Sequence, residues 1–369
     1  MGKYDRYGVY GSRTGEPEGP GRTIARFDGR TFEGSNEYNC FWVYEKPRNI
    51  PGWDRWDQVV YGPHIHKYPE VIYLMGSNKE DPLDLGATID FRLGPEMEAY
   101  SLTRSCLIYI PANFPHGFWQ IKEVKRPFIV FDVNQSPTHT EKALRELVPA
   151  KLRQKLLFID QGYDSEERVV QRPEKIGAAP ALAKGAPRTG KYDKHIVSGL
   201  RPDEHESSGR SIAHIDSDTF EGSHEYWAHW AYEQPLNVPG WKNWPDITHG
   251  PHMHKYPEVV AILGTDPDNP EHLGAEFWAG LGPELVMSMD RTTKLGFLPA
   301  HFPHGPSTVM KVTRPFIFVE VNQSVRHTEK ALFELVPDQA ERDKMMWTDM
   351  GYDGTWERKI TWPKGMGYK

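Results

Sequence analysis

The chain has 369 residues, 38% of them hydrophobic and 26% charged, with a formal net charge of −7. That balance excludes a disordered or fibrous chain and gives no basic footprint for nucleic acid. No apolar run approaches the roughly 18 residues of a spanning helix, and the N-terminal MGKYDRYGVYGSR has no apolar signal core, so a cytoplasmic chain with neither membrane nor nucleic acid as partner is expected.

Taken from the N-terminus, the sequence repeats itself. FEGSNEY at residues 32–38 returns as FEGSHEY at 220–226, and 220 minus 32 is 188. The same shift maps Trp53 onto Trp241, Trp56 onto Trp244, His64 onto His252, His116 onto His304 and Asn134 onto Asn322, while GKYD at Gly2 recurs at Gly190. A repeat of this length means two similar domains. Their expected bounds are 1–172 and 191–369, joined by an Ala-, Pro- and Gly-rich linker at 173–190.

Within each copy, VIYLM, CLIYI and FIVFDV and their counterparts are short β-branched and aromatic runs punctuated by Gly, Pro and Asn, the pattern of an all-β barrel or sandwich. One helix per copy is expected, at 138–147 and 326–335. Thr138 and Glu141 make a capping box there, and His139 and His327 fall at the helix start as solvated or capping residues. Cys40 and Cys106 face Ala228 and Lys294 across the repeat, which argues for buried thiols over a disulfide.

The chemistry is concentrated in two motifs per copy. GPHIHKYPEVIYLMG contains His64, His66 and Glu70; GPHMHKYPEVVAILG contains His252, His254 and Glu258. Residues two apart on a strand share a face, and the glutamate's even spacing returns it to that face if Tyr-Pro bends the strand. IPANFPHG and LPAHFPHG then bring His116 and His304, each 46 residues after its glutamate. Three imidazoles and a carboxylate converging in a barrel interior are costly to desolvate without a cation. A thiolate-free set suits a divalent ion of the Mn, Fe, Ni, Co, Cu or Zn series, two per chain, with open positions for water or substrate.

These segments resemble the two motifs of the cupin superfamily, with Asn113 and His301 where the family has glycine. The resemblance covers both halves. It implies an all-β chain of two tandem double-stranded β-helix (cupin, jelly-roll) barrels with few helices, organised like oxalate decarboxylases and quercetin dioxygenases. It also implies Mn(II) or Fe(II) first among the metals and the ligands His64, His66, Glu70, His116, His252, His254, Glu258 and His304.

The surroundings of the two motifs differ. Tyr73 faces Ala261, Trp119 faces Ser307, Arg92 faces Gly280 and Phe41 faces His229 across the repeat. Smaller residues in the second copy point to a roomier second site, with His229 as acid or base, Ala261 and Ser307 against substrate, and Arg92 and Trp119 as substrate contacts in the first. Trp42, Trp53 and Trp56, with their counterparts Trp230, Trp241 and Trp244, fill the barrels or wall a pocket for a flat ligand. The function expected is a metal-dependent enzyme that cleaves a C–C bond of a small enolisable dicarbonyl or carboxylate by redox-neutral hydrolysis or decarboxylation, for example by opening a cyclic 1,3-diketone. The alternatives are a dioxygenase acting on a polyphenol or diketone and a non-catalytic metal- or ligand-binding bicupin. A homo-oligomer is left open.

Overall fold

In a computed structural model, residues 2–11, 19–49, 52–58, 60–173, 188–200, 204 and 206–367 are described; most of the expected linker at 173–190 lies outside them. The chain divides into two compact units, Met1–Tyr10 with Gly199–Lys369, and Gly11–Ser198. This differs from a linear division at the linker. The first ten residues go with the C-terminal barrel: Gly8–Val9 adds an antiparallel strand to Lys294–Leu298. Their repeat counterpart, Ile196–Val197, does the same for Cys106–Ile110 of the N-terminal barrel.

Each unit is built from a six-stranded and an eight-stranded sheet. In the C-terminal unit the six-stranded sheet runs Gly8–Val9, Lys294–Leu298, Glu258–Gly264, Phe316–Asn322, Glu225–Ala231, Arg210–Ile215. All its neighbours are antiparallel. The N-terminal unit repeats that order. Residue alternation then assigns faces. In the N-terminal barrel Ile72, Leu74, Cys106, Ile108, Val130 and Phe41 point inward and pack with Phe91, Leu93, Tyr100, Leu102 and Trp119 from the other side. Tyr73, Phe131, Tyr38 and Cys40 take the opposite face, with Phe131 stacked between Tyr38 and Tyr73 at 5.9 and 5.7 Å. Cys40 and Cys106 are buried free thiols.

The helix expected at 138–147 does not form. Lys142–Ala143 pairs as a strand with His64–Ile65, Arg145–Leu147 is one 3₁₀ turn, and a four-residue α-helix follows at Ala150–Arg153. The reason is tertiary. Glu141 does not cap a helix: its carboxylate accepts from the Tyr61 hydroxyl, and its backbone exchanges hydrogen bonds with Gln161. The second copy does the same at Lys330–Ala331 and Phe333–Leu335. Among the described residues no helix is long and apolar enough to cross a membrane.

Candidate metal centre

The two motifs meet across the barrel interior. His64 lies directly opposite His116 in register, and His252 opposite His304, so the Pro-rich turn sets the third histidine against the first. Both turns need a left-handed residue, Asn113 at φ 59° and His301 at φ 61°, which accounts for glycine being the common choice there. One part of the sequence reading is corrected. Tyr68 and Pro69 do not merely bend a strand; the chain passes from the eight-stranded to the six-stranded sheet, so His64 and Glu70 reach the centre from opposite walls.

The two quartets are nearly superposable. The first and third histidine rings lie 4.1 Å apart in both barrels, and the second and third 5.1 Å apart. Glu70 Oε2 is 3.3 Å from His66 Nε2 and 3.1 Å from His116 Nε2; Glu258 Oε2 stands 3.3 and 3.2 Å from His254 and His304. In all six imidazoles Nδ1 contacts a backbone carbonyl, of Gly62, Thr140, Phe114, Gly250, Thr328 and Phe302. A carbonyl only accepts, so Nδ1 is the donor and Nε2 keeps its lone pair for the centre. The Nε2 atoms of His66, His116, His254 and His304, with Oε2 of Glu70 and Glu258, are buried without a hydrogen-bond partner. Burial and the neighbouring His116 push His64 down to about 3, and burial with His304 holds His252 well below the usual range. Burial opposes ionisation of Glu70 and Glu258, yet the adjacent histidines hold both carboxylates well below theirs. Six imidazoles and two carboxylates whose free atoms face each other in a buried site are costly alone and fit two divalent cations.

Behind each quartet lies a chain of polar groups that the sequence reading missed. In the C-terminal barrel His249 Nε2 meets Glu329 at 2.8 Å, and Glu329 meets His327 Nε2 at 2.9 Å. His327 Nδ1 meets Glu225 at 3.1 Å, Glu225 lies 3.5 Å from His214 Nε2, and His214 Nδ1 meets Glu204 at 2.6 Å. His327 is thus neither solvated nor a cap. Burial opposes its charge, but the carboxylates around it hold it well above the ordinary histidine range, and Glu204 and Glu225 push His214 up to about 9 against its burial. The N-terminal barrel keeps the middle, with His139 between Glu141 and Glu37 at 3.0 Å each, but ends it differently. Tyr61 replaces His249, 2.6 Å from Glu141, and Arg26 replaces His214, 3.3 Å from Glu37.

Two jelly-roll units, each closing its two cupin motifs around a buried three-histidine, one-glutamate set, decide the architecture. The architecture is that of a bicupin. No family model matches it, and no curated protein does. Among solved structures it is similar to the formate complex of Lactobacillus farciminis oxalate decarboxylase, with a TM-score of 0.47, 14% identity, and 86% of each chain covered. It is similar also to Bacillus subtilis oxalate decarboxylase, studied for its Mn(II) centres, with a TM-score of 0.45, 11% identity, and 86% of this chain and 76% of that one covered.

The C-terminal cupin barrel encloses a cavity of about 790 Å³ that reaches His252, His254, Glu258 and His304 and is walled by Trp227, Trp241, Trp244, Phe277 and Phe318. Its existence follows from substitutions across the repeat. Phe91, Tyr100, Leu102, Ile108 and Trp119, packed together in the N-terminal core, become Ala279, Ser288, Asp290, Gly296 and Ser307, all lining the cavity. Even the exchanged strand takes part: Ile196 packs on the N-terminal core where Gly8 lines the cavity.

Ser307 and His229 therefore lie on the cavity wall. His229 sits between Trp227 and Phe318, at 5.5 and 5.3 Å, and burial pushes its imidazole down to about 4. Trp119 points into the N-terminal barrel as filling, edge-on to Phe91 at 5.5 Å. Two site assignments are corrected. Ala261 is out of phase with Glu258: Val260 and Ile262 line the cavity, and Ala261 takes the other face, as Tyr73 does in the first barrel. Arg92 is out of phase with the inward Phe91 and Leu93, and its guanidinium lies over the Phe118 ring at 4.4 Å, away from the quartet. Of the tryptophans, Trp241 and Trp244 wall the cavity and Trp56 belongs to the N-terminal core. Trp227, the counterpart of Asn39, was not anticipated, although it lies two residues from His229 on one strand and so shares its face. Glu320 also lines the cavity, and burial together with Glu258 pushes it up to about 7.

Proposed function

We propose that the protein is a metal-dependent enzyme that cleaves a C–C bond of an enolisable dicarbonyl or carboxylate without net oxidation, and that it does so in the C-terminal barrel. The observation that carries this reading is the aromatic-walled cavity of about 790 Å³ reaching one complete ligand set, while the same volume in the N-terminal barrel is filled by side chains. His252, His254, Glu258 and His304 would hold the cation, with Mn(II) or Fe(II) the first choices for imidazole and carboxylate donors and Zn, Ni, Co or Cu the alternatives. When bound, such an ion supplies Lewis-acid polarisation of carbonyl oxygens and stabilises negative charge that develops on them.

The chain's own groups do the rest. Trp227, Trp241, Trp244, Phe277 and Phe318 give a flat ligand five aromatic faces and keep bulk water from it. Glu320, on the cavity wall one strand across from Val260, is placed to take a proton from a water that adds to one carbonyl carbon. The new C–O bond forms, the C–C bond breaks, and its electron pair becomes the enolate of the second carbonyl. The same carboxyl then returns the proton to carbon, leaving a carboxylic acid and a ketone with no oxidant consumed. The N-terminal set supports its own barrel.

The test is turnover of β-diketones by the Mn(II)-loaded protein in a cell that also records dissolved oxygen. Acid and ketone products with no oxygen uptake are expected. Stoichiometric oxygen uptake would replace the reading by dioxygenation, and tight binding without any turnover would replace it by ligand storage.

A further inference from the structure

The inward-facing residues of the C-terminal six-stranded sheet form rows across the strands. One row holds Glu258, Asn322 and Glu225; four residues further along the Glu258 strand another holds Lys294, Ile262, Phe318 and His229. At the rise of an extended chain the two rows are roughly 13 Å apart. In the N-terminal barrel the second of these rows reads Cys106, Leu74, Val130 and Phe41, all apolar and all packed in the core. The fold thus does not need polar groups at that depth, yet this barrel places Lys294 and His229 there. Asp290 and Ser288, from the adjoining strand, replace Leu102 and Tyr100.

We propose, resting on the dicarbonyl reading above, that this far end is a second subsite, which takes a neutral hydroxyl at the distal end of a flat, elongated substrate. Lys294 Nζ lies 2.5 Å from Asp290 Oδ1, with the two side chains only 26% and 18% exposed. The pair is neutral in sum, so Asp290 disfavours an anionic group, whereas a hydroxyl donates to Asp290 and accepts from Lys294. Three strands along the same row, His229 Nδ1 is buried without a hydrogen-bond partner, a cost that a ligand oxygen would relieve.

The two glycines beside the pair show that the space is kept open. A Cβ at Gly296 would meet only Val260 O, at 3.7 Å, and one at Gly8 would have Lys294 Nζ as its nearest neighbour, at 3.4 Å. Gly296 is not among the positive-φ glycines and Gly8 has φ −91°, so neither backbone demands glycine. Isoleucine stands at both counterparts, Ile108 and Ile196. Allowing for the side chains at both ends, the substrate spans roughly 8 to 10 Å between chelating oxygens and hydroxyl. One aromatic ring between the two meets that length.

The experiment is calorimetric titration of the whole Mn(II)-loaded chain with acetylacetone, benzoylacetone and 4-hydroxybenzoylacetone. The para-hydroxyl is expected to tighten binding about tenfold over benzoylacetone. His229→Phe and Asp290→Leu, each installing the residue of the N-terminal barrel, should remove that gain and leave benzoylacetone within about twofold of its original affinity. Equal affinity for the two aryl diketones, or a gain that survives in both variants, overturns the subsite while leaving the dicarbonyl reading in place. Failure of all three diketones to bind overturns that reading, and the subsite with it.

Discussion

The two barrels carry the same four-residue ligand set and surround it differently. In one, Phe91, Tyr100, Leu102, Ile108 and Trp119 close over the ligand set as a packed core; in the other, smaller or polar residues at the same places leave a chamber. The contrast separates what a cupin barrel needs for folding from what it needs for binding. The ligands, their carbonyl-anchored Nδ1 atoms and the His139 or His327 bridge recur in both halves and so belong to the centre itself. What differs is the filling and the ends of the polar chain, Tyr61 and Arg26 against His249 and His214. The C-terminal chain thus carries an imidazole at both places where the N-terminal barrel has a phenol and a guanidinium, and the guanidinium does not give up its proton.

The largest expected effect comes from the centre. His304→Ala should lower turnover at least about a thousandfold, as removal of a ligand does when the reaction depends on the metal, whereas His116→Ala should cost close to one metal per chain and leave turnover per folded molecule within a few-fold. Plasma mass spectrometry and steady-state kinetics on the same samples check both.

Filling the chamber comes next. Gly296→Ile or Ser307→Trp, each copying the N-terminal barrel, should reduce kcat/KM by about a hundredfold while both metals stay bound, because substrate volume is lost and the ligands are untouched. In the opposite direction, Trp119→Ser should destabilise the N-terminal barrel by about 3 kcal/mol in a denaturant titration and leave turnover unchanged.

A smaller effect is expected at the end of the polar chain. His249→Tyr, which copies Tyr61, should reduce kcat by about tenfold with KM little altered, since the imidazole paired with Glu329 at 2.8 Å is lost while an aromatic ring stays at that place on the cavity wall. An equal fall in the thermal stability of the variant and in its activity would assign His249 a structural role instead.

Much of this was legible in the sequence. The 188-residue shift and the paired His-x-His, Glu and His sets gave the duplication, the barrels and the ligands, because the metal demands particular side chains at particular spacings. The Trp119/Ser307 contrast pointed to the roomier half. Other parts failed for identifiable reasons. Counting by twos from Glu258 selects Val260 and Ile262, so Ala261 should have been set on the outer face. Arg92 is ruled out once Phe91 is known to point inward, which one chain's sequence does not tell. Thr138 to Glu141 satisfied a helix cap locally, but the partners that claim Glu141, Tyr61 and His139, include one 80 residues away. The overlooked clue was that glutamate and histidine recur unchanged at 37, 139 and 141 and at 225, 327 and 329. The exchange of the short strands Gly8–Val9 and Ile196–Val197 leaves no sign in sequence beyond the recurrence of GKYD.

The claim that the substrate meets the metal of the C-terminal barrel is tested most directly by Mn(II) electron paramagnetic resonance on two single-site proteins, His116→Ala with only the C-terminal ion and His304→Ala with only the N-terminal one. Saturating benzoylacetone should change the zero-field splitting of the first and leave the second as it was. A spectrum that changes in His304→Ala and not in His116→Ala would contradict the account and place the substrate in the N-terminal barrel.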